Sequence, residues 1–264
     1  MNFEVIASVE NVTLETLVLF EQLGIGIELS YFSLPWHLDK DTLQEDIERY
    51  KNMLKGFSQK VTMHGAFYDL NPISRDSKIL EVCSFRILQS IDIATQLNIH
   101  ELVFHANFIP STARNYEEIW IEKQTEFWKK FIPISEEKGL KIFIENTREE
   151  SPNMILRVLE KINHPNFKAC YDTGHSYCFT DSKMSPDVWL AGYQEQAMYI
   201  HLHSNHGFTD EHIAFTKGTQ DFDKFFDLLN SLKDKPLIVI EVKKREDFLE
   251  SVESLQNLGI LKTK

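Results

Sequence analysis

The chain has 264 residues, 42% of them hydrophobic and 26% charged, and its 19 Phe supply bulk for a sizeable core. A formal charge of −12 speaks against sequence-blind binding of nucleic acid, which relies on Lys and Arg to neutralise phosphates, although a local basic groove or bound metal would reverse the sign locally. Cys83, Cys170 and Cys178 are odd in number and include no C-x-x-C pair, so no disulfide framework is expected. The start MNFEVIASVE shows no signal peptide, and no apolar run approaches the ~18–20 residues of a bilayer span. The expectation is a soluble cytoplasmic protein without a membrane partner.

The predicted elements alternate along the chain. Strand-like apolar runs at 3–9 and 26–29 are followed by a helical pattern at 41–56 and a third strand at 61–64, VTMH. Next comes a helix over 74–97, in which Ile79, Val82, Phe85, Ile87, Leu88, Ile91 and Ile93 recur near one face. A strand at 102–105 precedes a helical pattern at 116–138, which Pro133 kinks or splits. The strand at 141–145 leads to a helix at 152–162 that opens on the pair Ser151-Pro152. Strands at 168–172, 199–201 and 237–241 and helices at 221–232 and 247–258 complete the series, with Gly56, Gly139 and Gly259 near helix ends.

Eight strands alternating with helices predict parallel β-α-β units closing into a single (β/α)8 TIM barrel of class α/β, one domain over 1–264. A doubly wound open sheet is the rival, but it carries a Gly-rich loop after its first strand, and Ser8-Val9-Glu10-Asn11 is nothing like one. The chemistry is carried by how the strands end. His64, His105, Glu145, Asp172, His201 and Glu241 close six successive runs, and His175, Asp210 and His212 follow in the loops beyond. A lone strand-end His is more often a hydrogen-bonded structural side chain than a ligand. A carboxylate inside IFIEN, however, must be paired, hydrogen-bonded or on a metal. Jointly, these residues predict a divalent-metal site at the C-terminal mouth. Imidazole and carboxylate donors without thiolate suit zinc or manganese, with iron or magnesium also admissible, and nine donors allow one to three ions. His203 and His206 beside the cluster are candidate substrate contacts, equally readable as solvated loop histidines, and Arg148, Lys217 and Lys243 are candidates too, although a solvated surface cation is the commoner case.

IENT around Glu145, YDTGH at 171–175 and HLHSNHGFTDEH at 201–212 resemble the xylose isomerase-like barrel superfamily, and the resemblance extends over essentially the whole chain. That superfamily holds sugar isomerases and epimerases together with the endonuclease IV group. The resemblance implies that Glu145, Asp172, His201 and Glu241 hold one divalent metal, and that Glu145 and Glu241 are catalytic, moving a proton next to a metal-polarised carbonyl. It also implies that His64, His105, His175, Asp210 and His212 match the added ligands of a three-zinc phosphodiester hydrolase. Ser204 stands where the family usually has Asp, and Thr216-Lys217 where Gly-Glu is usual, which bears on the shape of the substrate mouth. The short spacing from His201 to Asp210 favours the small-substrate members. The expected function is therefore a sugar or sugar-phosphate isomerase/epimerase; the alternatives are a multi-zinc hydrolase and a barrel with other chemistry. Trp36, Trp120, Trp128 and Trp189 fit a core or an interface equally well, which leaves the oligomeric state open.

Overall fold

The computed structural model describes residues 3–262. Eight parallel strands close into a barrel in chain order: β1 Val5–Val9, β2 Gly26–Leu29, β3 Val61–His64, β4 Glu101–His105, β5 Lys141–Glu145, β6 Phe167–Asp172, β7 Ala197–Leu202 and β8 Leu237–Ile240. Because β1 pairs with both β2 and β8, no strand is left as an edge, and the open-sheet alternative is excluded. No helix among the described residues is long and apolar enough to cross a membrane.

Side chains that alternate along a strand explain where the functional residues stand. A cluster of Ile6, Val103, Phe143, Cys170, Tyr199, Leu237 and Val239 is separate from the larger core of barrel wall and helices, and it forms a dry plug. Two residues beyond Val103, Phe143, Cys170, Tyr199 and Val239 come His105, Glu145, Asp172, His201 and Glu241. The period of two therefore sets a polar layer directly on an apolar floor. Gly26 marks a tight point in this wall, since a Cβ there would lie 2.4 Å from the Lys60 carbonyl oxygen and 2.5 Å from Ile6 Cγ2.

The helical expectations hold in outline. The 116–138 segment divides into Tyr116–Trp128 and Ile132–Glu137, with Pro133 in the first turn of the second, where its missing N–H costs nothing. Gly56, Gly139 and Gly259 take positive φ of 93°, 64° and 68°. Gln124 donates from Nε2 to the Ala106 carbonyl and accepts from Trp128 Nε1, which fixes the loop just after His105. Four helices among the described residues go unsignalled by spacing: Leu14–Leu23, because its apolar residues surround it, and Pro35–Leu38, His175–Cys178 and Pro186–Tyr193, because they are short. The Ser77–Gln96 helix corrects the sequence reading. Cys83, Ile87, Ile91, Ile93 and Ala94 are buried, whereas Ile79, Val82, Phe85 and Leu88 face solvent, so its apolar residues divide between two faces. Trp120, Trp128 and Trp189 belong to the core, and Trp36 is exposed.

Candidate metal centre

Glu145 stands at the middle of the mouth, 1% exposed. Its Oε2 lies 3.2 Å from His64 Nε2 and 3.4 Å from His201 Nδ1, and its Oε1 lies 3.1 Å from His175 Nδ1 and 3.4 Å from His105 Nε2. To one side, His201 Nδ1 faces Glu241 Oε2 at 3.0 Å and Asp172 Oδ2 at 3.7 Å. To the other, Asp210 Oδ2 lies 2.7 Å from His212 Nε2 and 3.5 Å from His175 Nε2. The structure thus brings together all nine residues that the strand ends and loops suggested. Five three-residue combinations of these side chains and His203 keep their donor atoms within 4.8 Å of one another.

Four of the imidazoles, those of His64, His175, His201 and His212, have a hydrogen-bond partner that orients them. His64 Nδ1 bonds to the Gly65 carbonyl, His175 Nδ1 to the Asn146 carbonyl and His212 Nδ1 to the Glu241 carbonyl, at 2.9, 3.0 and 3.1 Å. A carbonyl oxygen only accepts, so in the neutral ring the proton belongs on Nδ1, leaving Nε2 as the atom that would offer a lone pair to a cation. His201 is reversed. Its Nε2 lies 3.1 Å from Glu28 Oε2, an oxygen that also accepts from Tyr199 Oη, itself 2.7 Å from Thr62 Oγ1. Glu28 therefore leaves His201 Nδ1 facing the carboxylates.

The charges of the layer hold one another in place. Burial pushes the Glu145 carboxyl up, but the charges of His105 and His201, together with His175, outweigh it and hold the group well below the usual range. Burial is likewise outweighed at Asp172 by His175 and His203, and at Asp210 by His175 and His212. Glu241, opposed by burial but facing His201 and His212, is brought down to about 2. His64, His175, His201 and His212 are raised by these carboxylates against the opposing effect of burial, whereas at His105 burial prevails and lowers the ring to about 4.

The donor set fits a divalent cation. His201 Nδ1, Glu241 Oε2 and Asp210 Oδ1 are buried yet make no hydrogen bond among the described residues. His201 Nδ1 and Glu241 Oε2, 3.0 Å apart, gather with an Asp172 oxygen so that the three donor atoms lie within 4.8 Å of one another, close enough to share one ion. Nitrogen and oxygen donors with partners behind them suit zinc, manganese or iron.

The remaining predicted contacts separate. Arg148 reaches the mouth, its guanidinium 4.5 Å over the Phe179 ring, and Lys243 donates to the Asp210 carbonyl. His203 is fully buried; its Nε2 lies 3.0 Å from Asp172 Oδ2, its ring stacks 4.0 Å from that of His212, and it orients Asp172 rather than lining a cleft. Lys217 is held by Asp247 and Glu250 of the last helix at 2.7 and 2.9 Å, and exposed His206 pairs with Glu211, so neither comes to the mouth. Glu28 and Glu149 escaped the sequence reading. Glu28 had a signal, since a carboxylate in the apolar run GIEL raises the same question as the one in IFIEN. Glu149 accepts the Thr147 N–H behind the site, and burial pushes its carboxyl up to about 7.

Two clefts of about 890 and 590 Å3 meet at this layer, sharing Phe67, Tyr68, His105, His175 and Asp210. The fold as a whole has parallels among known proteins. The uncharacterized protein MJ1311 of Methanocaldococcus jannaschii is 24% identical over 76% of this chain and 70% of its own length. The TTHB071 protein from Thermus thermophilus, crystallised with ZnCl2 soaking, superposes with a TM-score of 0.79 at 25% identity, covering 97% of this chain and 98% of that one. A D-tagatose 3-epimerase-like protein shares the fold with a TM-score of 0.80 at 21% identity, covering 97% of both chains. The model of the xylose isomerase-like TIM barrel family matches residues 24–258, and the chain belongs to that family.

Proposed function

We propose that this chain is a divalent-metal-dependent isomerase/epimerase of a sugar or sugar phosphate, with Glu145, Asp172, His201 and Glu241 holding the metal and Glu241 moving the proton. The observation that carries the reading is the difference between the two glutamates. The Glu241 side chain is 20% exposed at the mouth, whereas both Glu145 oxygens are enclosed by ring nitrogens. A bound divalent ion polarises a carbonyl and so acidifies the adjoining C–H. Glu241, on one face of the site, takes that proton and returns it to the neighbouring carbon. Against the opposing effect of burial, the imidazoles of His201 and His212 keep Glu241 an ionised carboxylate. Isomerisation needs only one such base, whereas epimerisation needs acid and base on opposite faces. Within the pair, enclosure of Glu145 favours isomerisation and suits Glu145 to binding or bridging ions. The fold likeness to a D-tagatose 3-epimerase-like protein and the zinc-soaked TTHB071 protein accord with a metal and a small polyhydroxy substrate.

A second reading, hydrolysis of a phosphate ester by two or three ions, is favoured by one observation: His64 and His105 on the far side of Glu145, and the His175–Asp210–His212 set, exceed the needs of one ion. Nucleic acid is disfavoured as the ester, because among the described residues Lys78, Arg148 and Lys243 are the only Lys or Arg lining these two clefts. Metal-loaded protein incubated with sugar phosphates in deuterated water separates the readings by NMR. Exchange of a substrate C–H that disappears in Glu241→Gln supports the isomerase, while release of inorganic phosphate without exchange supports the hydrolase.

A further inference from the structure

The larger cleft has two chemically different ends. Its inner end is formed by His105, His175 and Asp210, with Arg148 beside them. Its outer wall consists of Tyr68, Ile79, Val82 and Ile109, which are 44%, 42%, 54% and 52% exposed. These side chains come from three separate stretches, the loop after β3, the Ser77–Gln96 helix and the loop after β4, so their convergence is not the accident of one helix face. Val82 and Ile79 are also the residues that the burial pattern of their helix leaves out of the core. Beside the Asp210 carboxylate, the inner end offers one cation without a partner. Arg148 makes no hydrogen bond or ion pair among the described residues, whereas Lys78, the other cation lining this cleft, is paired with Glu81. Stacking on Phe179 keeps its donors at the cleft.

We infer that this cleft takes a two-ended ligand, with an anionic, oxygen-rich head between Arg148 and the metal centre and an apolar alkyl or aryl group along Tyr68, Ile79, Val82 and Ile109. The substrate class is then a phosphorylated compound bearing a hydrophobic substituent rather than a bare sugar phosphate. The inference rests on the proposal that the mouth is a metal-dependent substrate site. Continuity of the apolar wall with the donor layer, inside a cavity of about 890 Å3, favours a small ligand over a second protein.

The test compares methyl phosphate with n-hexyl phosphate on the zinc-loaded full-length protein by calorimetry. The five additional methylenes are each worth about fourfold in affinity when fully buried, so a groove covering half of their surface gives roughly 30-fold. The expected result is a gain of that order in the wild type. The gain, read as the ratio of the two Kd values in the same protein, should vanish in the uncharged double variant Ile79→Ser/Val82→Ser, which removes apolar wall without adding a charge that would act on the phosphate. Equal affinity of the two esters in the wild type, or a gain that survives the double variant, overturns the apolar arm and leaves the metal centre standing. Failure of both esters to bind removes the reading of the mouth and the arm with it. A wild-type dimer, seen by light scattering, that the double variant dissociates would assign the wall to a second copy and likewise overturn the inference.

Discussion

Exchanging Glu28 for Gln changes one atom type at a site that touches no cleft, yet it should weaken metal binding. In the wild type the Glu28 carboxylate can only accept from His201 Nε2, so the ring lone pair is committed to Nδ1, facing Glu145, Asp172 and Glu241. A Gln in the same place offers an amide N–H as well as an oxygen. It can stabilise the opposite tautomer, with a proton on Nδ1 where the metal would bind. Loss of such a partner behind a ligating imidazole typically costs 10- to 100-fold in metal affinity, or about 1.4–2.7 kcal/mol. A charged hydrogen bond of about 1.5–3 kcal/mol is the right size to supply that. Calorimetric titration of zinc or manganese into chelator-stripped protein reads the affinity. Nitrogen NMR of the histidine rings reads the His201 tautomer without metal, and a thermal melt checks that the variant is folded. Affinity within twofold of wild type, together with an unprotonated Nδ1, would refute the reasoning.

Metal content by mass spectrometry on untagged protein should fall by about one equivalent in the Asp210→Ala/His212→Ala double variant if these residues hold their own ion; an unchanged ratio would reassign them to substrate or to orientation. For Glu149, the folded pKa of about 7 lies above the ordinary 4.5, so the folded state binds the extra proton and stability falls as pH rises through that window. Glu149→Gln should therefore gain up to about 3 kcal/mol over wild type in metal-free denaturant titrations at pH 8, with the gain fading towards pH 4.5; a pH-independent difference would contradict this. Gly174→Ala would set a Cβ 2.0 Å from the Cε1 atom of buried His203, so a loss of about 1–3 kcal/mol and weaker metal binding through Asp172 are expected. An unaltered melt would show that the ring can move aside.

The barrel and its donor layer were largely legible because both follow from period-two patterning. An apolar run that ends in His, Asp or Glu states both the strand and its chemistry, as IFIE and YIHL do. Glu28 was passed over because GIEL is only four residues long and carries no second polar neighbour to draw attention, although burial of its carboxylate was implied by the same run. His203 and Lys217 illustrate what a linear motif does not contain. Whether a residue two positions from a ligand meets the substrate or the ligand itself depends on a ring packed against Gly174, and on a helix that arrives some thirty residues later with Asp247 and Glu250. The Ser77–Gln96 helix shows the same limit, since spacing identified its apolar residues but not which of two stripes the barrel would cover.

The tie between Glu28 and His201 crosses the lumen from β2 to β7 and joins residues 173 positions apart. During synthesis the early strands wait for most of the chain before that tie can form, and Glu241 arrives later still. A nascent chain ending before β7 carries Glu145 and Asp172 without the other two members of their set. If the four residues hold an ion as proposed, its capture at full strength belongs to the closing stage of assembly, when the last strand seals the ring. Truncated or stalled chains would compete poorly for the cell's metal, and occupancy would report on barrels that have finished folding.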